Sequence, residues 1–127
     1  MRIRMMRRLI ILLAGILGVA PAAPASEPAM PLQSGAYVFQ HRFAEHPELP
    51  SIRLEARVEE GRITLVNHDR SDVFPLGVIA EGRVMWHAAS KQWIIAQQPE
   101  DALAVEVGGC SDGPEVVDLL HKTYWTC

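Results

Sequence analysis

From Ala36 onward the chain alternates apolar and polar residues with a period of two. Tyr37, Phe39, His41 and Phe43 fall on one side of the first run, and Val38, Gln40 and Arg42 on the other. In the second run Ile52, Leu54, Ala56 and Val58 alternate with Arg53, Glu55, Arg57 and Glu59, one face apolar and one charged. That period predicts half-buried β-strands.

Turn residues then fix the expected register. Taking Glu60-Gly61 as a two-residue hairpin turn sets Glu59 opposite Arg62, Val58 opposite Ile63 and Ala56 opposite Leu65, so that like faces like and opposite charges meet. The tetrapeptide Glu60-Gly61-Arg62-Ile63 is echoed by Glu81-Gly82-Arg83-Val84. The same rule predicts a second hairpin there, with Ile79 opposite Val84 and Gly77 opposite Trp86. A third turn at Ser90-Lys91 sets Ala88 opposite Trp93 and Trp86 opposite Ile95, with both indoles on one face.

The β pattern breaks at Pro99–Val107, where Pro99, Glu100 and Asp101 suit a helix start and Gly108-Gly109 an end. One short helix is expected near 99–107. Two more strands are expected around Glu115–Leu119 and Lys122–Cys127. The fold class that follows is mainly β: a small antiparallel meander of seven to eight strands, curled into a barrel or partial barrel.

Residues 1–25 read differently. Arg2, Arg4, Arg7 and Arg8 precede an apolar run from Leu9 to Ala20, and Ala23-Pro24-Ala25 supplies small residues for cleavage. This is the layout of a secretory signal peptide, too short for a membrane span. The expected organisation is a signal peptide over 1–25, a disordered lead-in over 26–35 rich in Pro, Ala and Ser, and one β-rich domain over 36–127. Cleavage near Ala25-Ser26 would place the product outside the cytoplasm, periplasmic or secreted, with no integral span in the mature chain.

Without the four signal arginines, eight basic residues face fifteen acidic ones, a net charge of −7. Nucleic-acid binders need a basic face, so that class is set aside. Both cysteines, Cys110 and Cys127, lie in the mature region, and two cysteines in an exported chain are expected to pair.

Candidate chemistry is sparse. Gly109-Cys110-Ser111-Asp112-Gly113 matches G-x-S-x-G, but Pro114 follows at once and strands surround it, so a glycine-rich turn placing Cys110 for its bridge is the expectation. His41-Arg42-Phe43-Ala44-Glu45-His46 misses the inverted zinc-peptidase spacing by one residue. Met85 and His87 share a strand face and are weak metal candidates, with His41, His46 and His68 as conceivable additions. No cofactor and no catalytic residue is assigned.

Trp86, Trp93 and Trp125, with Tyr37, Tyr124, Phe39 and Phe74, are the remaining signal, and the register places Trp86 and Trp93 on one face of a hairpin. They are read either as plain core or as the wall of a ligand cavity, with His41 or Gln97 orienting the ligand. The architecture resembles small exported β-barrels in general, lipocalin-like binders and periplasmic lysozyme inhibitors among them. The function expected is a non-enzymatic binding module for a small apolar ligand or an envelope partner. The alternative is an inhibitor or envelope-structural protein acting through protein–protein contacts, and an enzyme ranks last.

Overall fold

The computed structural model describes residues 27–127, together with Gly15 and Gly18. The expected signal peptide lies outside the described residues. Seven strands follow one another around a single ring: β1 (Gly35–Phe43), β2 (Arg53–Glu59), β3 (Arg62–Asn67), β4 (Gly77–His87), β5 (Gln92–Ala96), β6 (Glu115–Asp118) and β7 (Thr123–Thr126). Each pairs with its sequence neighbour in antiparallel fashion, and β1 closes the ring on β7 in parallel, Gln40 beside Thr123 through Phe43 beside Thr126. The parallel seam is a consequence of counting. In an up-and-down meander every second strand points the same way, so the first and seventh must run together.

The β2–β3 hairpin follows its predicted register, with Glu59 opposite Arg62, Val58 opposite Ile63 and Ala56 opposite Leu65. Glu60 (φ 48°) and Gly61 (φ 75°) both take positive φ, as a type I′ turn requires.

The second predicted hairpin is absent. β4 runs unbroken through Glu81-Gly82, so Ile79 does not oppose Val84 and Gly77 does not oppose Trp86. The first half of β4 pairs with β3, Arg62 with Arg83 to Asn67 with Gly77, and the second half with β5. Gly82 sits where β4 passes from one neighbour to the other. A Cβ there would lie 2.6 Å from the Ala96 carbonyl oxygen and 2.8 Å from Ile95 Cγ2. Glycine serves close backbone approach here, not chain reversal.

The third turn is longer than predicted. Residues 88–91 form the loop, Trp86 pairs with Trp93, and Val84 rather than Trp86 pairs with Ile95. The correction is a slip of two residues. It preserves the side of the sheet, because side chains alternate with period two.

The expected helix is a single 3-10 turn, Pro99–Leu103. Asp101 Oδ2 accepts from the backbone N–H groups of Gln97 and Gln98, which fixes its start. Beyond Ala104 the β-branched Val105 and Val107 do not continue it.

The ring is filled. Phe39, Leu54, Ala56, Val58, Ile63, Leu65, Ile95, Val117, Leu119 and Tyr124 form one buried cluster along its inside. Met30 and Leu32 pack against the same cluster. Composition alone reads 26–35 as a loose lead-in, but these two apolar side chains lay residues 30–32 on the barrel.

A second, smaller cluster of Ile94, Ala96 and Val116 buries the opposite side of β5 and β6, with Met85, Val107 and Trp125 beside it. Successive residues Ile94 and Ile95 point to opposite faces, and both are buried because residues 104–114 cover the outer one. That cover is pinned by a Gly108 N–H donating to the Pro114 carbonyl and by the Cys110–Cys127 disulfide. Linking residues 17 apart stabilises the fold by about 3 kcal/mol in the chain-entropy account. It also ties the end of β7, and so the seam with β1, to the cover.

Candidate functional site

The turns over 88–91 and 119–122 are built alike. In each, the residue opening the loop bonds the backbone of the residue three later, and a lysine with positive φ closes it (Lys91, φ 54°; Lys122, φ 49°). At the first, the Ser90 N–H donates to His87 Nδ1; at the second, the His121 N–H donates to Asp118 Oδ1 at 2.9 Å. These two loops stand beside one another at one rim of the ring, and the cleft between them is the best-formed candidate site.

Trp86 and Trp93 oppose each other across β4 and β5, with ring centroids 5.2 Å apart and planes inclined at 66°. Trp125 of β7 lines the same cleft, with Val116, Val117 and Leu120 adding apolar wall and Lys91, Gln92, Asp118 and His121 the polar part of its lining. Pro28 reaches it from the N-terminal segment. The volume is about 350 Å³. All three indoles are only half-buried, unlike the interior residues that touch no solvent.

Asp118 and His121 form a fixed pair. The carboxylate takes both the backbone N–H and Nδ1 of His121, the latter at 2.7 Å. Burial alone would raise the Asp118 carboxyl. The His121 hydrogen bonds outweigh it and hold the group below the ordinary carboxylate value, so Asp118 is an anion at neutral pH.

His41, read with the two tryptophans from sequence, is not in the cleft. It is wholly buried inside the ring at the β1–β7 seam, where Nδ1 shares a 2.6 Å hydrogen bond with Ser51 Oγ and Nε2 a 2.7 Å bond with Thr126 Oγ1. Phe43 and Phe74 meet its ring edge-on. Burial lowers its pKa from the ordinary 6.5. Beside it, desolvation and a hydrogen bond donated to Glu115 push the Tyr124 phenol above its ordinary value. Gln97, the other proposed orienting group, donates its amide to the Glu81 carbonyl and lies elsewhere.

His87 is also buried, and its bonds define its tautomer. A backbone N–H can only donate, so Nδ1 is an acceptor; Nε2 then carries the proton and donates to the Ala104 carbonyl at 2.6 Å. Both nitrogens are occupied: Nε2 holds the end of the 3-10 turn to β4, and Nδ1 holds the 88–91 loop through Ser90. Met85 packs in the outer cluster. His46 pairs loosely with Glu48 and His68 with Glu55, each at 3.6 Å. Among the described residues no three His, Cys, Asp or Glu side chains gather as a metal site would need.

Ser111 Oγ donates to the Gly108 carbonyl at 2.7 Å and stabilises the turn before the disulfide. A wider depression of about 630 Å³ lies between the 88–91 turn and the disulfide loop. Its lining is more polar and includes His87, already fully bonded, so the aromatic cleft is the stronger site by the usual character of ligand pockets. The sequence pointed to Trp86 and Trp93. It included Trp125 among the aromatics without placing it beside them, and it did not point to Asp118 or His121, although the Asp118–His121 spacing of three is a turn signal.

Comparison with family models, with curated proteins and with solved structures returns no match.

Proposed function

We propose that this chain is an exported, non-enzymatic binding module whose Trp86–Trp93 cleft receives a small ligand, or a group of an envelope partner, through an apolar face. The observation that carries the reading is the pair of opposed, half-buried indoles at the rim of a filled barrel. Trp93 rests partly on the interior cluster, yet neither indole is buried completely. Their remaining exposed area is available to a ligand, at roughly 25 cal/mol for each Å² of apolar surface covered. The disulfide supports an oxidising compartment, as do the arginines and apolar run of residues 1–25.

The test is titration of tryptophan emission with a neutral apolar aromatic probe, N-phenyl-1-naphthylamine. Saturable quenching is expected, weakened about tenfold or more in Trp86→Ala, the equivalent of ~1.4 kcal/mol. Arg57→Ala, on the outer face of β2, should leave it unchanged. Emission and melting temperature that ignore the probe would defeat the reading.

A second reading rests on a different observation. Leu103 and Val105 are 86% and 98% exposed on a backbone held at Asp101, Ala104 and Gly108. A rigid loop presenting two bare apolar side chains is pre-organised for a protein partner, as an inhibitor would be. Photo-crosslinking from position 105 in envelope extract should capture one defined partner, and Leu103→Asp should abolish capture without lowering the melting temperature. Unchanged capture in that variant would exclude the loop.

A further inference from the structure

We infer that the Trp86–Trp93 cleft takes a neutral sugar ring of an oligosaccharide, stacked on an indole and held at its hydroxyls by Gln92, Asp118 and Lys91. The inference deepens the binding reading above and rests on it.

The walls come first. Two indoles inclined at 66° offer one flat apolar face and one edge to the same ligand, so a flat-sided molecule can stack on the first while meeting the second. A pyranose ring has such apolar C–H faces, bordered by hydroxyls around its equator.

The polar lining then selects among ligands with apolar faces. Lys91 and Asp118 bring one positive and one negative charge to the same cleft, and Gln92 brings an amide that both donates and accepts. His121 Nδ1 is held on the ionised Asp118 and fixes the position of that carboxylate in the lining. An organic cation would be favoured by the indoles but opposed by Lys91. An organic anion would be opposed by Asp118. A plain hydrocarbon would use the walls and leave the polar groups idle. Hydroxyls, each both donor and acceptor, match a mixed set of donors and acceptors with balanced charge.

Size and access agree. About 350 Å³ lies at the small end of ligand sites, which run from ~300 to 1,000 Å³, and the cleft opens to the surface, so a longer chain can continue out of it. The source can be a free oligosaccharide or the polymeric glycan of the envelope; the recognised chemistry is the same.

The experiment titrates the mature protein with the tetramer of N-acetylglucosamine and with cellotetraose, read by tryptophan emission and calorimetry, and adds cosedimentation with purified peptidoglycan sacculi. Saturable binding of at least one tetrasaccharide is expected. Trp86→Ala should weaken it tenfold or more and Gln92→Ala about fivefold, the scale of one lost hydrogen bond. Gln92→Ala should weaken binding of the neutral naphthylamine probe far less than binding of the sugar, and that difference also covers the case of a Trp86 variant that fails to fold. Cosedimentation competed away by the tetrasaccharide would assign the polymer, and tetrasaccharide binding without cosedimentation the free oligosaccharide. Cosedimentation that the tetrasaccharides do not compete, or equal loss of sugar and dye binding in Gln92→Ala, would overturn the sugar assignment. If the dye binds in a Trp86-dependent way and neither tetrasaccharide does, the sugar is wrong and the binding module stands. If neither dye nor sugar binds, both fall.

Discussion

Glu60-Gly61-Arg62-Ile63 and Glu81-Gly82-Arg83-Val84 differ only in their last residue, yet the chain reverses at the first and runs straight through the second. At the first, everything needed is local. Glu60 and Gly61 accept positive φ, and the residues on either side match in polarity pair by pair. At the second, distant partners decide. β3 claims the first half of β4 and β5 the second, and a hairpin at Glu81-Gly82 would forfeit both pairings. The same dipeptide therefore uses glycine in two ways: Gly61 for its backbone freedom, Gly82 for its missing side chain.

That contrast predicts unequal costs for one methyl group. In Gly82→Ala the new Cβ falls within 3.0 Å of the Ala96 backbone oxygen, which cannot swing aside as a side chain can. Overpacking of this kind costs about 2–3 kcal/mol, and it should appear as a lowered midpoint in urea denaturation. A cost below that of the same change at Gly61 would break the distinction between the two glycines.

The seam between β1 and β7 is the other place where distant residues decide, and it carries a pH signature. His41 has its ordinary pKa of 6.5 in the unfolded chain and a lowered one in the fold. Below pH 6.5 the unfolded chain binds more protons than the folded one. Stability is therefore complete above pH 6.5 and declines as pH falls toward the lowered folded value, by at most ~1.4 kcal/mol per pH unit from this group. Denaturation midpoints between pH 7.5 and 5 should show the decline, and His41→Gln, which cannot titrate, should flatten it. An identical slope in the variant would place the effect on other groups.

Local and distant causes also separate what the sequence revealed from what it hid. The meander, the β2–β3 register and the cysteine pair follow from periodicity, one turn and one count, all readable without the fold. The path of β4 was not readable, because nothing within Glu81-Gly82 reports that β5 will lie 2.6 Å from a would-be Cβ. The site divides in the same way. Trp86 and Trp93 share a face in either register because a two-residue slip preserves parity, so their proximity was legible. Trp125 lies on a strand more than thirty residues away and joins them only once the ring closes. His41 shares an apolar stripe with Phe39, which gave no sign that Ser51 and Thr126 would occupy both of its nitrogens.

The smallest effects lie at the local turn and sharpen the comparison most. Gly61→Ala should cost about 1 kcal/mol, the penalty of an L-residue at positive φ, since no atom lies within 4 Å of the new methyl. Glu60 already bears such a penalty at φ 48°, and asparagine tolerates that conformation better. Glu60→Asn should therefore stabilise by roughly 0.5 kcal/mol. Glu81→Asn removes the same charge from an equally exposed position, but in mid-strand opposite Thr64, where asparagine is disfavoured. It should bring no gain and a loss of a few tenths of a kcal/mol. Melting temperatures measured side by side decide between the two causes. Opposite signs tie the gain to the turn, whereas equal gains would trace it to relief of net negative charge and remove the turn from the explanation.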